Sequence, residues 1–121
     1  MLYAILCYSD EGVVEAWSKE GDAAVIGKRR AVTRPLAAAG KLGPVVRLMP
    51  TSAAVTIRSG REPLVIDGPF AETKEQLLGF YIVDCASLEE AIDTATRIKG
   101  DEEEGAFEVR PLRLFEPAGP K

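Results

Sequence analysis

The residues best able to do chemistry cluster between Leu64 and Asp84. An apolar run ends at Asp67 and is followed by Gly68, Pro69 and Phe70; Lys74 then stands between Glu72 and Glu75. A carboxylate at the end of a strand can work as a general acid or base if burial lifts its pKa from about 3.9 toward neutrality. The same carboxylate can simply accept backbone N–H bonds in its own turn. The chain has no histidine to partner it, which tilts the sequence toward the second role. Pro69 holds φ near about -65°, so Phe70 is presented at a rigid corner. Gly68, preceding a proline, is biased toward extended geometry.

Other side chains are candidates by type. Lys74 can bind a carboxylate ligand near Asp67, or belong to a solvated charged turn. Tyr3, Tyr8 and Tyr81 lie in or beside apolar runs. Their phenols can line a pocket, or they can be amphipathic core and interface residues. Arg110 interrupts the apolar run from Phe107 to Leu112. It can take a ligand anion, though pairing with a carboxylate across a sheet is the expectation. Trp17 is expected in the core or at a dimer contact.

Composition removes several function classes. Without histidine the chain lacks the commonest proton shuttle and metal ligand near neutral pH. Its two cysteines, Cys7 and Cys85, lie far apart in apolar runs. They are expected to be buried free thiols rather than zinc ligands or a disulfide framework. No cofactor is implied. The formal net charge is -4, and the one basic run is Lys28-Arg29-Arg30, which disfavours direct nucleic-acid binding. With 46% hydrophobic and 28% charged residues, the composition is that of a soluble globular domain. The opening run from Leu2 to Tyr8 is too short for a signal peptide or a membrane span. A reducing cytoplasm is the default location.

The elements that must position these residues follow from periodicity. Residues 2 to 8 are apolar on both parities, as in a strand covered on both faces. Residues 13 to 17 are ambiguous. Ser18 is a fitting N-cap for a helix to about Ala39, with a kink or break expected near Arg34 because Pro35 follows. Gly40 stops it. A short strand is expected at Val45–Met49. Val55–Arg58 and Leu64–Ile66 flank a glycine-bearing loop, as in a hairpin, with Pro63 at an edge. One helical turn at most is expected after Phe70. Leu77–Val83 is the next strand. Ser87 to Glu90 is a capping box opening a helix with Leu88, Ala91, Ile92, Ala95 and Ile98 on one stripe, closed at Lys99-Gly100. Asp101–Glu104 reads as a solvated acidic loop, and Phe107–Leu112 as the last strand. Residues 1–115 form a single domain, and 116–121 a flexible tail.

This order is β-α-β-β-α-β with an added hairpin, an α+β ferredoxin-like arrangement. Two helices then cover one sheet face only. Keeping about four large apolar side chains of the other face in water would forgo roughly 6–12 kcal/mol. A homodimer with facing sheets is therefore expected.

The run Asp67-Gly68-Pro69-Phe70-Ala71-Glu72-Thr73-Lys74-Glu75-Gln76-Leu77, followed by Gly79-Phe80-Tyr81, resembles the signature of the DGPF-domain proteins in the YCII-related superfamily. The opening strand, Ser87–Ile98 and Glu108-Val109-Arg110-Pro111 resemble its other elements, so the likeness spans nearly the whole chain. It implies a dimeric α+β barrel. It also implies a regulatory or sensing role, since such members are often encoded beside extracytoplasmic-function sigma factors. Better-studied relatives have a proposed histidine–aspartate catalytic pair. Asp67 matches the aspartate by position, and the histidine has no counterpart here. Two readings follow: a dimeric small-ligand-binding or regulatory accessory protein, with a sigma factor as a possible partner, or a lyase, isomerase or hydrolase acting on a small metabolite through Asp67. Gly68, Pro69, Phe70 and Lys74, with Tyr3, Tyr81 and Arg110, are the ligand-binding candidates. A structural dimer contacting a partner protein is a third option.

Overall fold

The protein is described here by a computed structural model covering residues 1–60, 64–101 and 104–117. The strands are β1 (Leu2–Ser9), β2 (Leu42–Arg47), β3 (Val55–Arg58), β4 (Leu64–Asp67), β5 (Gln76–Asp84) and β6 (Ala106–Pro111). The helices are α1 (Glu11–Glu15), α2 (Lys19–Ala38) and α3 (Leu88–Lys99), with a 3₁₀ turn at Thr51–Ala53. Four strands make one antiparallel sheet in the order β2-β5-β1-β6; β3 and β4 form a separate two-stranded ribbon. This is the α+β ferredoxin-like arrangement expected, with the hairpin inserted between its second and third core strands.

Register explains why β1 and β5 are apolar on both parities. Ile5 stands opposite Tyr81 and Val109, and Tyr3 opposite Val83. These side chains share the helix-facing side and form the core with Cys7, Cys85, Ala91, Ala95 and Ile98. Both thiols are buried and neither is in a disulfide. On the outward side Leu6 stands opposite Phe80, and Ala4 opposite Ile82. That side is less bare than expected, because Ala4 and Ile82 are already buried within the chain while Leu2, Leu6 and Phe80 are half-buried. β2 swings close at Gly43, where an added Cβ would lie 3.1 Å from the Ile82 Cβ.

The two long helices seat differently. α3 buries Ala91, Thr94, Ala95 and Ile98. Its capping box forms: Ser87 Oγ accepts from the Glu90 amide at 3.1 Å. Glu90 reaches back to the Ala86 amide rather than to Ser87. α2 buries Thr33 alone, with Val32 and Leu36 partly buried against the core. Its sequence explains this, since Gly27 interrupts a weak apolar stripe and four basic residues follow between Lys28 and Arg34. A helix that buries so little cannot lie flush on the sheet.

One open stretch is settled and two local expectations are corrected. Residues 11–15 are helical, because Asp10 caps them by accepting from the Gly12 amide at 2.8 Å. α2 does not break at Arg34: Pro35 is accommodated in the final turn, and its carbonyl still accepts from the Ala39 amide at 3.0 Å. Gly40, at φ 72°, then ends the helix, with Lys41 N–H bonded to the Leu36 carbonyl at 2.8 Å. Gly68 is not extended but has φ 95°. The restriction before proline acts partly through the preceding residue's Cβ, which glycine lacks. β2 also begins earlier than expected and stops before Met49; after Phe70, where one helical turn at most was expected, there is none; and the placing of Pro63 lies outside the described residues.

Candidate functional site

The residues singled out by type fall in four separate places within one chain. Asp67, Gly68, Pro69 and Phe70 make the corner after β4. The Gly68 amide donates to the Ala54 carbonyl at 2.7 Å, and its carbonyl accepts from the Thr56 hydroxyl at 2.8 Å. Arg58 Nη2 donates to the Phe70 carbonyl at 3.2 Å, while the Phe70 ring projects into solvent. Asp67 is exposed. Among the described residues its carboxylate accepts no hydrogen bond from its turn, so the corner is held by backbone and by Thr56 and Arg58. Lys74 lies further on, exposed. Tyr3 and Tyr81 are buried in the core under the helices. Arg110 is on the sheet's outward side, bonded to Glu108 Oε2 at 2.8 Å.

The concave surface lies elsewhere, where α2 stands off the sheet. A β-bulge between Cys7 and Tyr8 places Leu77 rather than Leu78 opposite Tyr8, and such bulges re-aim strands at sheet ends. α1 crosses this end and is held there by Glu11. The Glu11 amide donates to Gln76 Oε1 at 2.9 Å, and its carboxylate accepts from the Thr51 amide at 2.9 Å and from the Thr51 hydroxyl. Two clefts result, of about 750 Å³ and about 510 Å³. They share Val14, Trp17, Val25, Arg29 and Leu78 in their walls. The larger runs from α1 to the C-terminal end of α3 and has Val13, Val14, Trp17, Ile98 and Phe107 among its apolar lining. The smaller lies between α2 and the strands β2 and β5, with Tyr81 in its wall.

Charge distinguishes the larger cleft from the protein as a whole. Among the described residues, Lys28, Arg29, Arg97 and Lys99 line it together with two acids, Asp101 and Glu104, although the chain's net charge is -4. Arg29 lies with its guanidinium carbon 5.3 Å from the Phe107 ring centroid, close enough for cation–π attraction. Tyr8 contributes a phenol to the lining. Cations above an apolar floor can hold a carboxylate or phosphate whose organic body is buried below. Volumes of this size fall within the range of small-molecule sites, roughly 300–1,000 Å³. Sequence reasoning noted Lys28-Arg29-Arg30 only as an isolated basic run and placed Trp17 in the core or at a dimer contact. Neither residue signals a cleft until α2 is seen to stand clear of the sheet.

The smaller cleft is clasped by an ion pair. Arg47 Nη2 lies 2.7 Å from Asp22 Oδ1 and Nη1 lies 3.2 Å from Oδ2, a two-pronged contact joining α2 to the end of β2. The hydrogen bond from Arg47 is the main reason the Asp22 carboxyl is held below its ordinary pKa, outweighing the opposing effect of burial. A depressed carboxylate pKa contributes stability above the unfolded-state value, lost as pH falls through the folded-state value. The excess stability of the wild type over Asp22→Asn is therefore expected to be present at neutral pH and lost in strong acid, once pH has fallen through the lowered folded-state value. Both partners are partly exposed, so it should be no more than about 1 kcal/mol. Urea unfolding of both proteins at the two pH values measures it. A difference that persists or grows in acid would contradict this assignment.

The four-stranded sheet, its α2 and α3 cover and the inserted hairpin define a small α+β domain of the ferredoxin-like kind. Residues 1–116 match the YCII-related domain, and the chain belongs to that family. An uncharacterized protein of Rhizobium meliloti (strain 1021) is 59% identical over 119 residues, covering 97% of this chain and 96% of the relative.

Proposed function

We propose that this chain is a dimeric protein that binds a small organic anion in its larger cleft, in a ligand-sensing or regulatory capacity. One observation carries the reading: a cleft of about 750 Å³ with an apolar floor has, among the described residues, four cations and two acids in its wall, within a chain of net charge -4. Cationic lining on an acidic protein selects for anions locally, while the overall charge repels them elsewhere. The dimer forms through the outward sheet faces, where Leu2, Leu6 and Phe80 remain half-buried.

A thermal-shift comparison of carboxylates with their neutral amides, phenylacetate against phenylacetamide among them, tests the binding. A ligand present at about 100 times its Kd adds about 2.7 kcal/mol of stability. The carboxylates are expected to raise the melting temperature by several degrees and the amides to leave it unchanged. Equal shifts from both would remove the anion reading. Any carboxylate that binds should bind Asp67→Asn equally and be recovered unaltered. Turnover abolished by Asp67→Asn would replace the binding role with an enzymatic one.

A further inference from the structure

Eight of the sixteen exposed large apolar side chains among the described residues lie between Leu48 and Phe70. The ribbon of β3 and β4 carries five of them. Its register places Val55, Ile57 and Val65 on one face with Asp67, and Leu64 and Ile66 on the other with Thr56 and Arg58. Both faces are therefore apolar. Ile57 and Val65 stand opposite one another and are 75% and 67% exposed. Among the described residues the two strands pair with each other and pack extensively on no other element. A lone two-stranded ribbon is marginal in water, and an uncovered apolar one is an aggregation hazard. Yet this arm is tethered firmly at its base, where Thr51 donates to Glu11 and the Gly68 amide bonds to Ala54.

We propose that the arm packs against a second copy of this chain, each protomer's ribbon gripping the other and extending the interface between their sheets. The proposal rests on the dimer reading above and adds the segment that completes it. The outward sheet face alone offers little, because Ala4 and Ile82 are already covered within the chain. A stable dimer buries about 800 Å² per partner. Reciprocal packing lets each subunit bury its own arm and receive another, so the arm contributes twice to the same interface. The receiving face is chemically suited: Leu2, Leu6 and Phe80 are half-buried, and the nearby Arg110 is already bonded to Glu108, so no unpaired charge is buried there. A lipid surface fits less well. Residues 48–70 carry two arginines and two carboxylates, leaving no net positive charge to attract anionic headgroups.

Sedimentation of the full chain and of Ile57→Glu/Val65→Glu tests the arm. Both side chains are mostly exposed in the single chain, so the variant should retain the wild-type circular dichroism. The wild type is expected to be dimeric at micromolar concentration, and the variant's dimer dissociation constant to rise about 100-fold or more. A photo-activatable benzophenone side chain in place of Ile57, in a mixture of ¹⁴N- and ¹⁵N-labelled chains, should give mixed-isotope cross-linked peptides. An unchanged dissociation constant, or cross-links confined to one copy, would overturn the arm and leave a dimer held by the sheets alone. A monomeric wild type, with or without another protein on the arm, would overturn both.

Discussion

Lys28→Glu/Arg97→Glu is expected to abolish anion binding in the larger cleft without unfolding the protein. Both residues line that cleft from different helices, α2 and α3. Reversing each charge replaces attraction by repulsion. At separations of several ångströms in a partly hydrated cleft, two reversals together cost the bound anion about 2–4 kcal/mol, a loss of thirty-fold or more in affinity. Both side chains are exposed. Arg97 makes an i,i+4 pair with Asp93 at 3.8 Å, and the surface contacts that either exposed side chain gives up are each worth about 1 kcal/mol or less. Binding should therefore fall much further than stability. Calorimetric titration of both proteins with a carboxylate that stabilises the wild type checks it. Affinity unchanged in the double variant would place the anion outside this cleft.

The largest expected loss of stability comes from the smallest addition of atoms. Gly79→Ala would set a Cβ 2.1 Å from the Val46 carbonyl oxygen and 3.1 Å from the Arg47 Cα. Those neighbours are backbone of β2, so no side chain can swing away; the sheet must shift between its first two strands. Overpacking usually costs about 1–3 kcal/mol, and this site belongs at or above the top of that range. With a urea slope of about 1–3 kcal/mol/M, the midpoint should fall by about 1 M or more. Gly27→Ala is the matched contrast. Its Cβ would meet nothing within 4 Å, and it lies within α2. There alanine should stabilise by about 0.5–1 kcal/mol. A Gly79→Ala midpoint equal to that of the wild type would contradict the close approach of β2 and β5.

How much of this was legible in the sequence depends on where the determining forces act. β1 and β5 were readable because a central strand covered on both sides must be apolar on both parities. α3 was readable because its cap, stripe and terminal glycine all fall within fourteen consecutive residues, from Ser87 to Gly100. Pro35 misled because a proline removes only its own N–H bond, and the helix continues past it, with the Ala39 amide still bonded to the Pro35 carbonyl. Gly68 misled because a rule framed for residues with a Cβ was applied to one without.

The site was less legible for a related reason. A cleft under α2 depends on how far a weakly apolar helix stands from a sheet, which no local pattern encodes. Lys28 and Arg97 are far apart in sequence, and each alone looks like an ordinary surface charge. The Asp67–Phe70 corner was visible as a rigid turn. Its value to the account has changed: it closes the base of the apolar arm, and the cleft lies at a separate set of residues.

Selection of organic anions by the cleft under α2, as proposed above, is open to a direct optical test. Trp17 is the only tryptophan in the chain and lines both clefts, so its fluorescence reports occupancy directly. The decisive measurement is a titration of wild-type protein with a panel of aromatic and aliphatic carboxylates, each paired with its amide, at low and high salt. Carboxylates are expected to give a saturable change in Trp17 emission, weakened by salt, and the amides none. Amides that bind as tightly as their carboxylates, or a panel that leaves Trp17 unchanged throughout, would contradict it.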